Sequence, residues 1–222
     1  MNLDILICVH SQSEFHDKLL RRALQSLVDQ TYQDFNVVIV LDSCHNETKN
    51  VIAEFNSKLR ITDVEHTKIS LAYAKNYGLK YCFGDWITYL DGDDSLEPTK
   101  LEEQFDFIAK NPQYDIVGTL AWDVYNVGTD QEYKTPSCFA EGQYDEDWKI
   151  RARLPIENVF THGSLALKKS LLDKIGGYSE NKKFLGKEDW HLLYNSMFYF
   201  NAKAFIIPKR LYNYSMGTSV ER

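Results

Sequence analysis

The residues with the clearest chemical potential are three carboxylates within four positions, Asp91, Asp93 and Asp94, around Gly92. Carboxylates this close repel one another, and a hard divalent cation such as Mg²⁺ or Mn²⁺ turns that repulsion into binding. An ion held by one or two of them keeps open positions for the phosphate oxygens of a nucleotide. Asp-Gly is also a frequent turn dipeptide, and acidic residues are favoured near the N-terminus of a helix beginning around Pro98. The segment alone therefore leaves open both a metal site and a structural turn.

Apolar segments in the first half of the chain predict the elements that would position these carboxylates. Runs of strand length alternate there with segments of helical period. The predicted strands are Leu3–Val9, Phe35–Leu41, Leu59–Val64 and Trp86–Leu90, and the predicted helices are Asp17–Gln30, Glu47–Phe55, Ser70–Cys82 and Pro98–Ala109. This order predicts an α/β fold with a Rossmann-like, mostly parallel sheet and helices on both faces. Ligands bind beyond the carboxyl ends of such strands, so we expect Asp42, after the second strand, and Asp91, after the fourth, to lie near one site.

In the second half of the chain, strand and helix patterns no longer alternate regularly. Asp115–Val124 is typical of a strand, whereas Tyr125–Val159 is polar and shows no sustained period. We interpret Tyr125–Val159 as a long excursion with short elements of its own, and such segments often carry function. The remaining predictions are a strand near Gly163–Leu167, a helix over Lys169–Ile175, a turn at Gly176-Gly177, a polar loop to Lys187, a helix from Trp190 to Phe198 and a closing strand over Ala202–Ile207.

Composition and charge narrow the class of protein. With 222 residues, 44% of them hydrophobic and 26% charged, the chain fits one folded domain, which excludes an intrinsically disordered chain, a collagen and a coiled coil. The net charge of −7 and the lack of a Lys/Arg block disfavour binding to nucleic acid. Cys8, Cys44, Cys82 and Cys138 lie far apart, which disfavours a structural zinc site and a disulfide scaffold. No leader peptide and no transmembrane run is predicted, so we expect a cytoplasmic protein, with peripheral association with a membrane surface left open.

Four motifs, in order, resemble those of the family 2 glycosyltransferases. The segment from Ala23 to Phe35, ALQSLVDQTYQDF, leads into the strand that ends at Asp42 and is similar to the family's S-L-x-x-Q-T-Y-x-x-F opening. Ala72–Leu79 and Gly84–Asp94 resemble its A-x-A-R-N-x-G-L helix and D-x-D-D metal motif. Gly176-Gly177-Tyr178 and Glu188-Asp189 resemble its later G-G-[FY] turn and E-D pair. The resemblance covers nearly the whole chain, and the joint match is specific where each piece alone would be weak.

This resemblance implies a GT-A fold in a single domain. Residues 1–110 would form the nucleotide-sugar-binding half and residues 111–222 the acceptor-binding half. The donor would lie among Cys8, His10, Asp42, Lys75, Asp91 and Gly92, and Mn²⁺ or Mg²⁺ would be held by Asp93 and Asp91. Lys75 stands where the family usually has Arg, which keeps the positive charge and loses the planar guanidinium. A solvated lysine on a helix surface is the alternative for Lys75.

Asp189 is the residue that the resemblance assigns as the general base. Family 2 enzymes invert configuration, and a single displacement needs a base opposite the departing diphosphate to take the proton of the acceptor hydroxyl. Glu188 would orient Asp189 or its helix and, with His162, would lie on the acceptor side. The alternatives are that Glu188 and Asp189 only begin a helix, where acidic residues are favoured, and that His162 is an ordinary hydrogen-bonded residue.

Two departures from the family pattern bear on the implied function. Cys8-Val9-His10-Ser11 replaces a P-T-Y-N-like turn, and Tyr212-Asn213-Tyr214-Ser215 lacks the histidine of a C-terminal Y-R-x-H. The leading hypothesis is a metal-dependent inverting glycosyltransferase that moves a sugar from a nucleotide donor, expected to be a UDP-sugar, to a hydroxyl of a glycan or a lipid-linked saccharide. The alternatives are a catalytically impaired binding protein of the same fold and a nucleotidyltransferase, which the lack of glycine in residues 10–17 disfavours. A Rossmann dehydrogenase is excluded because no G-x-G-x-x-G follows the first strand.

Overall fold

The structure is a computed structural model that describes residues 2–67, 70–137 and 145–218. Its strands are β1 (Leu3–Val9), β2 (Phe35–Asp42), β3 (Ile61–His66), β4 (Trp86–Tyr89), β5 (Ser95–Leu96), β6 (Ile116–Tyr125), β7 (Tyr133–Pro136), β8 (Ala166–Lys168) and β9 (Ala204–Ser215). Its helices are α1 (Glu14–Val28), α2 (Glu47–Ala53), α3 (Leu71–Leu79), α4 (Lys100–Lys110), α5 (Asp147–Arg153), α6 (Lys169–Ile175) and α7 (Glu188–Phe198), with 3-10 turns at His162–Ser164 and Lys182–Phe184. Within these ranges, no helix is both long enough and apolar enough to cross a lipid bilayer.

The strands form one mixed sheet in the order β3-β2-β1-β4-β8-β6-β9-β5, with β7 beside β6. β3, β2, β1 and β4 run parallel to one another, as predicted for the first half of the chain. β8 runs antiparallel to β4 and β6, and β5 runs antiparallel to β9. The α/β class is confirmed, and the sheet is parallel in the half that carries Asp42 and Asp91 and mixed beyond it.

Helices cover both faces of the sheet because its central strands are apolar on both sides. In β1, Leu3, Ile5 and Ile7 pack in the core that α1 shares, whereas Leu6 and Cys8 pack in the core that α3 shares. All seven residues of β1 are buried, which is typical of a parallel strand between two helical layers. The parallel strands therefore end together at one edge of the sheet, and polar residues that follow them meet there.

The largest difference from the predicted elements is the last strand. β9 extends to Ser215, well beyond the predicted end at Ile207. Pro208 and the two charged residues after it interrupt the apolar pattern, but the strand continues through a shift in its register against β6 near Leu120. The extension pairs Tyr212 with Leu96 of β5 and so brings the end of the chain beside the acidic segment.

Two further segments depart from the predicted structure. The excursion Tyr125–Val159 contains β7 and α5, and its residues 138–144, which include Cys138, lie outside the described residues. The strand predicted near Gly163–Leu167 is a 3-10 turn followed by the short strand β8. A Cβ at position 163 would lie 2.0 Å from the hydroxyl of Tyr212, so the turn approaches β9 more closely than a residue with a side chain would allow.

A buried lysine in α4 gives a prediction for stability. Lys100 is fully buried, its Nζ donates a hydrogen bond to Thr88 Oγ1 at 2.6 Å, and burial lowers the pKa of its ammonium group to about 7. The unfolded chain keeps that proton up to the ordinary pKa of 10.5, so the free energy of unfolding should rise with pH between about 7 and 10.5. Lys100→Met should raise the free energy of unfolding at neutral pH by roughly 2 kcal/mol, and this gain should shrink as the pH rises through that range.

Urea denaturation across the same pH range measures this difference. Thr88 keeps its own hydrogen bond to the Leu165 carbonyl in the variant, so no buried donor loses its partner there. Lys110→Met, at the exposed end of the same helix, is the matched control and should leave the pH dependence unchanged. A gain that stays constant with pH would show that the effect does not come from the charge of Lys100.

Candidate functional site

A cleft lies at the carboxyl ends of β1 and β4. Its first cavity has a volume of about 270 Å³ and is lined by Cys8, Val9, His10, Ser11, His16, Leu71, Asp91, Gly92, Asp93, Tyr214 and Thr218. Cys8, His10, Asp91 and Gly92, which were predicted to contact a donor, therefore line one cavity. Asp93, predicted as a metal ligand, lines it as well.

Two other predicted donor residues do not line the first cavity. Asp42 is buried at the end of β2, and its carbonyl oxygen lies 2.6 Å from Nδ1 of His10. Asp42 thus stands behind a residue that lines the cavity. Lys75 lines a second cavity, described below.

The three clustered carboxylates occupy different environments. Asp94 is buried, and its two oxygens accept hydrogen bonds from the Tyr212 hydroxyl at 2.6 Å and the Ser215 amide at 2.7 Å. Burial, together with the charges of Asp91 and Asp93, raises the pKa of Asp94 well above its ordinary value. Asp94 therefore fixes β9 to the acidic segment, a role that the sequence did not indicate because it depends on the unpredicted end of β9.

Asp93 faces the cavity and is held by the end of the described chain. Its Oδ2 accepts a hydrogen bond from the Thr218 hydroxyl at 2.7 Å, and its carbonyl oxygen accepts one from the Ser215 hydroxyl at 2.5 Å. Ser215 lies in the C-terminal segment that lacks the histidine of the family pattern. Its hydroxyl supports the main chain of the acidic segment and does not stand in for that histidine as a metal ligand.

The protein carboxylates at this site can hold a magnesium or manganese ion only if a bound substrate supplies further oxygen atoms. Among residues 2–67, 70–137 and 145–218, no three His, Cys, Asp or Glu side chains converge as a metal site. Asp91 and Asp93 both line the cavity, and proteins commonly hold Mg²⁺ by one or two carboxylates, with waters and substrate phosphates as the other ligands. The residues present therefore fit an ion whose coordination a bound diphosphate completes.

The second cavity adjoins the first. It has a volume of about 450 Å³ and is lined by Leu71, Lys75, Asp91, Asn158, Phe160, Thr161, His162, Gly163, Gly186, Glu188, Asp189 and Tyr214. Leu71, Asp91 and Tyr214 line both cavities, so the two are compartments of one cleft. The structure thereby brings the predicted general base, Asp189, into the same cleft as the predicted metal ligands.

Asp189 lies in the first turn of α7 with both carboxylate oxygens engaged. Oδ1 accepts a hydrogen bond from the Trp190 amide at 2.7 Å, and Oδ2 accepts one from Nδ2 of Asn158 at 3.1 Å. Asn158 lies in the aperiodic segment before β8, and nothing in its sequence context distinguished it. Glu188 is buried, and its Oε2 has no hydrogen-bond partner within the described part of the chain. Asn158 therefore makes a direct contact that orients the Asp189 carboxylate, and the orienting role expected of Glu188 stays a prediction.

Lys75 and His162 lie side by side in the wall of the second cavity. The Lys75 side chain is only 4% exposed, and its Nζ lies 3.5 Å from Nδ1 of His162 and 5.2 Å from the centre of the Tyr178 ring. His162 Nε2 lies 2.8 Å from the Tyr178 hydroxyl, and its ring packs on Tyr89. Burial and the charge of Lys75 lower the pKa of His162 well below its ordinary value, so the imidazole is neutral. Lys75 forms no ion pair with a described carboxylate, which leaves its charge available to an anionic ligand.

Comparison with known proteins gives a family and a fold for this arrangement. A sequence model described as Glycosyl transferase family 2 matches residues 4–176. The O-antigen biosynthesis glycosyltransferase WbnJ of Escherichia coli is 27% identical over 180 residues, which cover 79% of this chain and 65% of WbnJ. The putative glycosyltransferase EpsE of Bacillus subtilis is 24% identical over 182 residues, which cover 78% of this chain and 60% of EpsE. The chain thus spans somewhat less than two thirds of the length of these relatives.

Two solved structures share the fold. S. aureus TarS 1-349 in complex with UDP-GlcNAc superposes with a TM-score of 0.77 at 16% identity, covering 99% of this chain and 60% of that one. The mannosyltransferase PcManGT from Pyrobaculum calidifontis, in complex with GDP-Man and Mn²⁺, superposes with a TM-score of 0.74 at 18% identity, covering 98% and 57%. At these identities the likeness establishes the fold, and the predicted GT-A architecture is confirmed.

Proposed function

Because this chain belongs to glycosyl transferase family 2, we propose that it transfers a sugar from a nucleotide-sugar donor to an acceptor hydroxyl, with inversion at the anomeric carbon. The expected donor is a UDP-sugar, and the expected acceptor is a glycan or a lipid-linked saccharide. One observation carries the proposal. Carboxylates suited to a metal and a carboxylate suited to a base line two compartments of the same cleft.

The donor belongs in the first cavity under this proposal. Cys8, His10 and Gly92 provide its walls, and Asp42 supports His10 from behind. Mn²⁺ or Mg²⁺ would be held by Asp91 and Asp93, and it would stabilise the negative charge that develops on the departing diphosphate. Lys75 brings a further positive charge from the second cavity, toward the junction at Asp91.

The acceptor belongs in the second cavity. Asp189 takes the proton of the attacking hydroxyl, since a single displacement requires a base on the side opposite the leaving group. Asn158 holds the carboxylate in place by bonding Oδ2, which leaves a lone pair on that oxygen for the proton. Oε2 of Glu188, which has no hydrogen-bond partner among the described residues, is an acceptor-side group that can accept a hydrogen bond from another hydroxyl of the substrate. The neutral His162 lines the same cavity, with its ring nitrogens directed at Tyr178 and Lys75.

The names of the structural neighbours support a nucleotide-sugar donor without choosing its base. TarS was solved with UDP-GlcNAc and PcManGT with GDP-Man and Mn²⁺. The main-chain turn after β1 differs from the family pattern in this chain, so the base must be determined by measurement. We expect residues 1–110 to bind chiefly the donor and residues 111–222 chiefly the acceptor, although Tyr214 and Thr218 also line the first cavity.

A screen of donors by thermal unfolding tests the proposal. The protein is heated with UDP-, GDP- or dTDP-sugars in the presence of Mn²⁺ or of a chelator, and the donor is then assayed for hydrolysis. A matching donor at a hundred times its Kd should stabilise the native state by about 2.7 kcal/mol, which raises Tm by several degrees. Stabilisation that depends on Mn²⁺, with slow hydrolysis, is the expected result. No stabilisation by any of the three donor classes would contradict it.

The same screen separates the enzyme from a binding protein of the same fold. The observation that favours the binding protein is that no third His, Cys, Asp or Glu ligand joins Asp91 and Asp93 within the described part of the chain. Such a protein would be stabilised by the donor in the same way but would neither hydrolyse it nor transfer its sugar to any acceptor tested. Metal-dependent hydrolysis at a rate above that of the chelated control would exclude this alternative.

A further inference from the structure

An exposed loop that is both basic and apolar precedes α7. Residues 182–187 read Lys-Lys-Phe-Leu-Gly-Lys, with three lysines and no acidic residue, in a chain whose net charge is −7. Lys182, Lys183 and Lys187 are exposed, and none of them forms an ion pair with another described residue. Between them, the side chain of Leu185 is 72% exposed.

The loop is folded although it is exposed. Its first residues form the 3-10 turn Lys182–Phe184, the Lys183 amide donates to the Asn181 side chain, and the Lys187 amide donates to the Phe184 carbonyl at 2.8 Å. The ring of Phe184 stacks on His191 of α7, with centroids 3.7 Å apart. These contacts hold Leu185 and the lysines at the surface, so the exposure of Leu185 is a fixed feature of the fold.

An apolar groove continues from this loop along the outer face of α7. It has a volume of about 410 Å³ and is lined by Phe184, Lys187, Trp190, His191, Tyr194, Asn195 and Tyr199. Tyr199 is 74% exposed at the far end. Leu192, Leu193 and Met197 on the other face of α7 fill the core, and of the groove residues Trp190 also packs against it.

We propose that the loop 182–187 and the outer face of α7 form a docking surface for an anionic lipid bilayer. Lysines beside the exposed side chains of Leu185 and Tyr199 suit the interface, where the ammonium groups reach phosphate headgroups and the apolar parts enter the acyl boundary. An anionic surface attracts each lysine and repels the acidic remainder of the chain. These forces favour the orientation in which the loop 182–187 faces the bilayer. Lys187 directly precedes Glu188 and Asp189, so docking brings the second cavity to the lipid surface. That consequence for a lipid-linked acceptor rests on the proposed function, whereas docking does not.

Co-sedimentation with vesicles measures the docking. The wild-type protein should bind vesicles of phosphatidylcholine and phosphatidylglycerol in equal parts, should not bind pure phosphatidylcholine, and should be released as salt is added. The triple variant K182Q/K183Q/K187Q should lower the partition coefficient by roughly a hundredfold, at about fivefold per lysine. Leu185→Ser should lower it by roughly tenfold.

Matched variants control for general charge and exposure. K58Q/K80Q/K110Q removes three exposed lysines that form no ion pair with described residues and changes the net charge equally. Phe83→Ser removes an apolar side chain that is 86% exposed at the opposite edge of the sheet. Both variants should bind like wild type, and circular dichroism should give unchanged melting for all four.

Other outcomes would overturn the docking surface. Equal losses in the two triple variants would indicate unspecific attraction, and vesicle binding abolished by millimolar inorganic phosphate would indicate a small-anion site. Self-association of the protein without vesicles, lost in Leu185→Ser, would assign the surface to a second copy of the chain. None of these measurements involves sugar transfer, so their results are independent of the proposed function.

Discussion

Asp189→Asn is expected to lower the rate of sugar transfer by roughly a thousandfold while leaving the affinity for the donor unchanged. The Asp189 carboxylate lies in the second cavity, bonded by the Trp190 amide and by Nδ2 of Asn158. No lysine or arginine among the described residues forms an ion pair with it, so its lone pairs are not committed to a fixed cation. An amide of nearly the same shape can keep one of the two hydrogen bonds but cannot take a proton. The loss therefore falls on the chemical step, which single-turnover kinetics measures directly.

Three comparisons make this result specific to Asp189. Asp106→Asn, an exposed residue of α4, is the matched control and should transfer sugar at the wild-type rate. Asn158→Ala keeps the carboxylate and removes one of its hydrogen bonds, so its rate of sugar transfer should lie between those of wild type and Asp189→Asn. Thermal unfolding with donor and Mn²⁺ should give the same shift for wild type and Asp189→Asn. Undiminished transfer in Asp189→Asn would remove the residue from the mechanism, and a lost donor shift would place it in the donor site instead.

The parallel half of the fold could be predicted because its sequence pattern and its environment agree. β1, β2 and β4 are mostly apolar segments of strand length, and a strand that helices cover on both faces needs that pattern. Their carboxyl ends meet at one edge, so the positions of Asp42 and Asp91 near that edge were predicted from the order of elements. The predicted helices differ from the observed ones mainly at their ends, where periodicity carries little information.

The end of β9 and the role of Asp94 could not be predicted because they depend on contacts distant in sequence. β9 crosses charged residues and a register shift, and it is held there by pairing with β6 and β5. Asp94 is equivalent to its neighbours in sequence, and only its hydrogen bonds to Tyr212 and Ser215 distinguish it. Asn158 escaped notice for a related reason, since its segment has no period and its partner, Asp189, is 31 residues away.

Two segments of the chain each concentrate charges of one sign. The acidic segment after β4 gathers three carboxylates at the cleft, whereas the exposed loop before α7 carries three lysines and no acid. Both arrangements cost stability through repulsion between like charges. Such costs are expected where charged groups bind a partner of opposite charge. The proposed partner of the acidic segment is a cation with a diphosphate, and that of the lysine loop is an anionic surface.

Asp93→Asn is expected to abolish the Mn²⁺-dependent stabilisation by the donor and to lower transfer at least a hundredfold. Asp93 lines the first cavity with Asp91, and its Oδ2 is bonded only by the Thr218 hydroxyl among the described groups. Replacing one of two carboxylates halves the negative charge that the site offers to a divalent ion. The free energy of about 2.7 kcal/mol expected from a donor at a hundred times its Kd should therefore vanish from the thermal shift.

When metal and donor are removed, Asp93→Asn should no longer lower the melting temperature relative to wild type. The charges of Asp91 and Asp93 help to raise the pKa of the buried Asp94, which means that the three carboxylates oppose one another in the folded state. Asp93→Asn removes one of those charges, so with a chelator present the variant should melt at the same temperature as wild type or above it. Asp130→Asn, an exposed position in the loop before β7, should behave like wild type in both conditions. A variant that melts lower than wild type in both conditions would indicate that Asp93 is a structural residue. A carboxylate placed for a metal at the expense of stability should instead give a variant that melts below wild type with donor and Mn²⁺, and at or above it with the chelator.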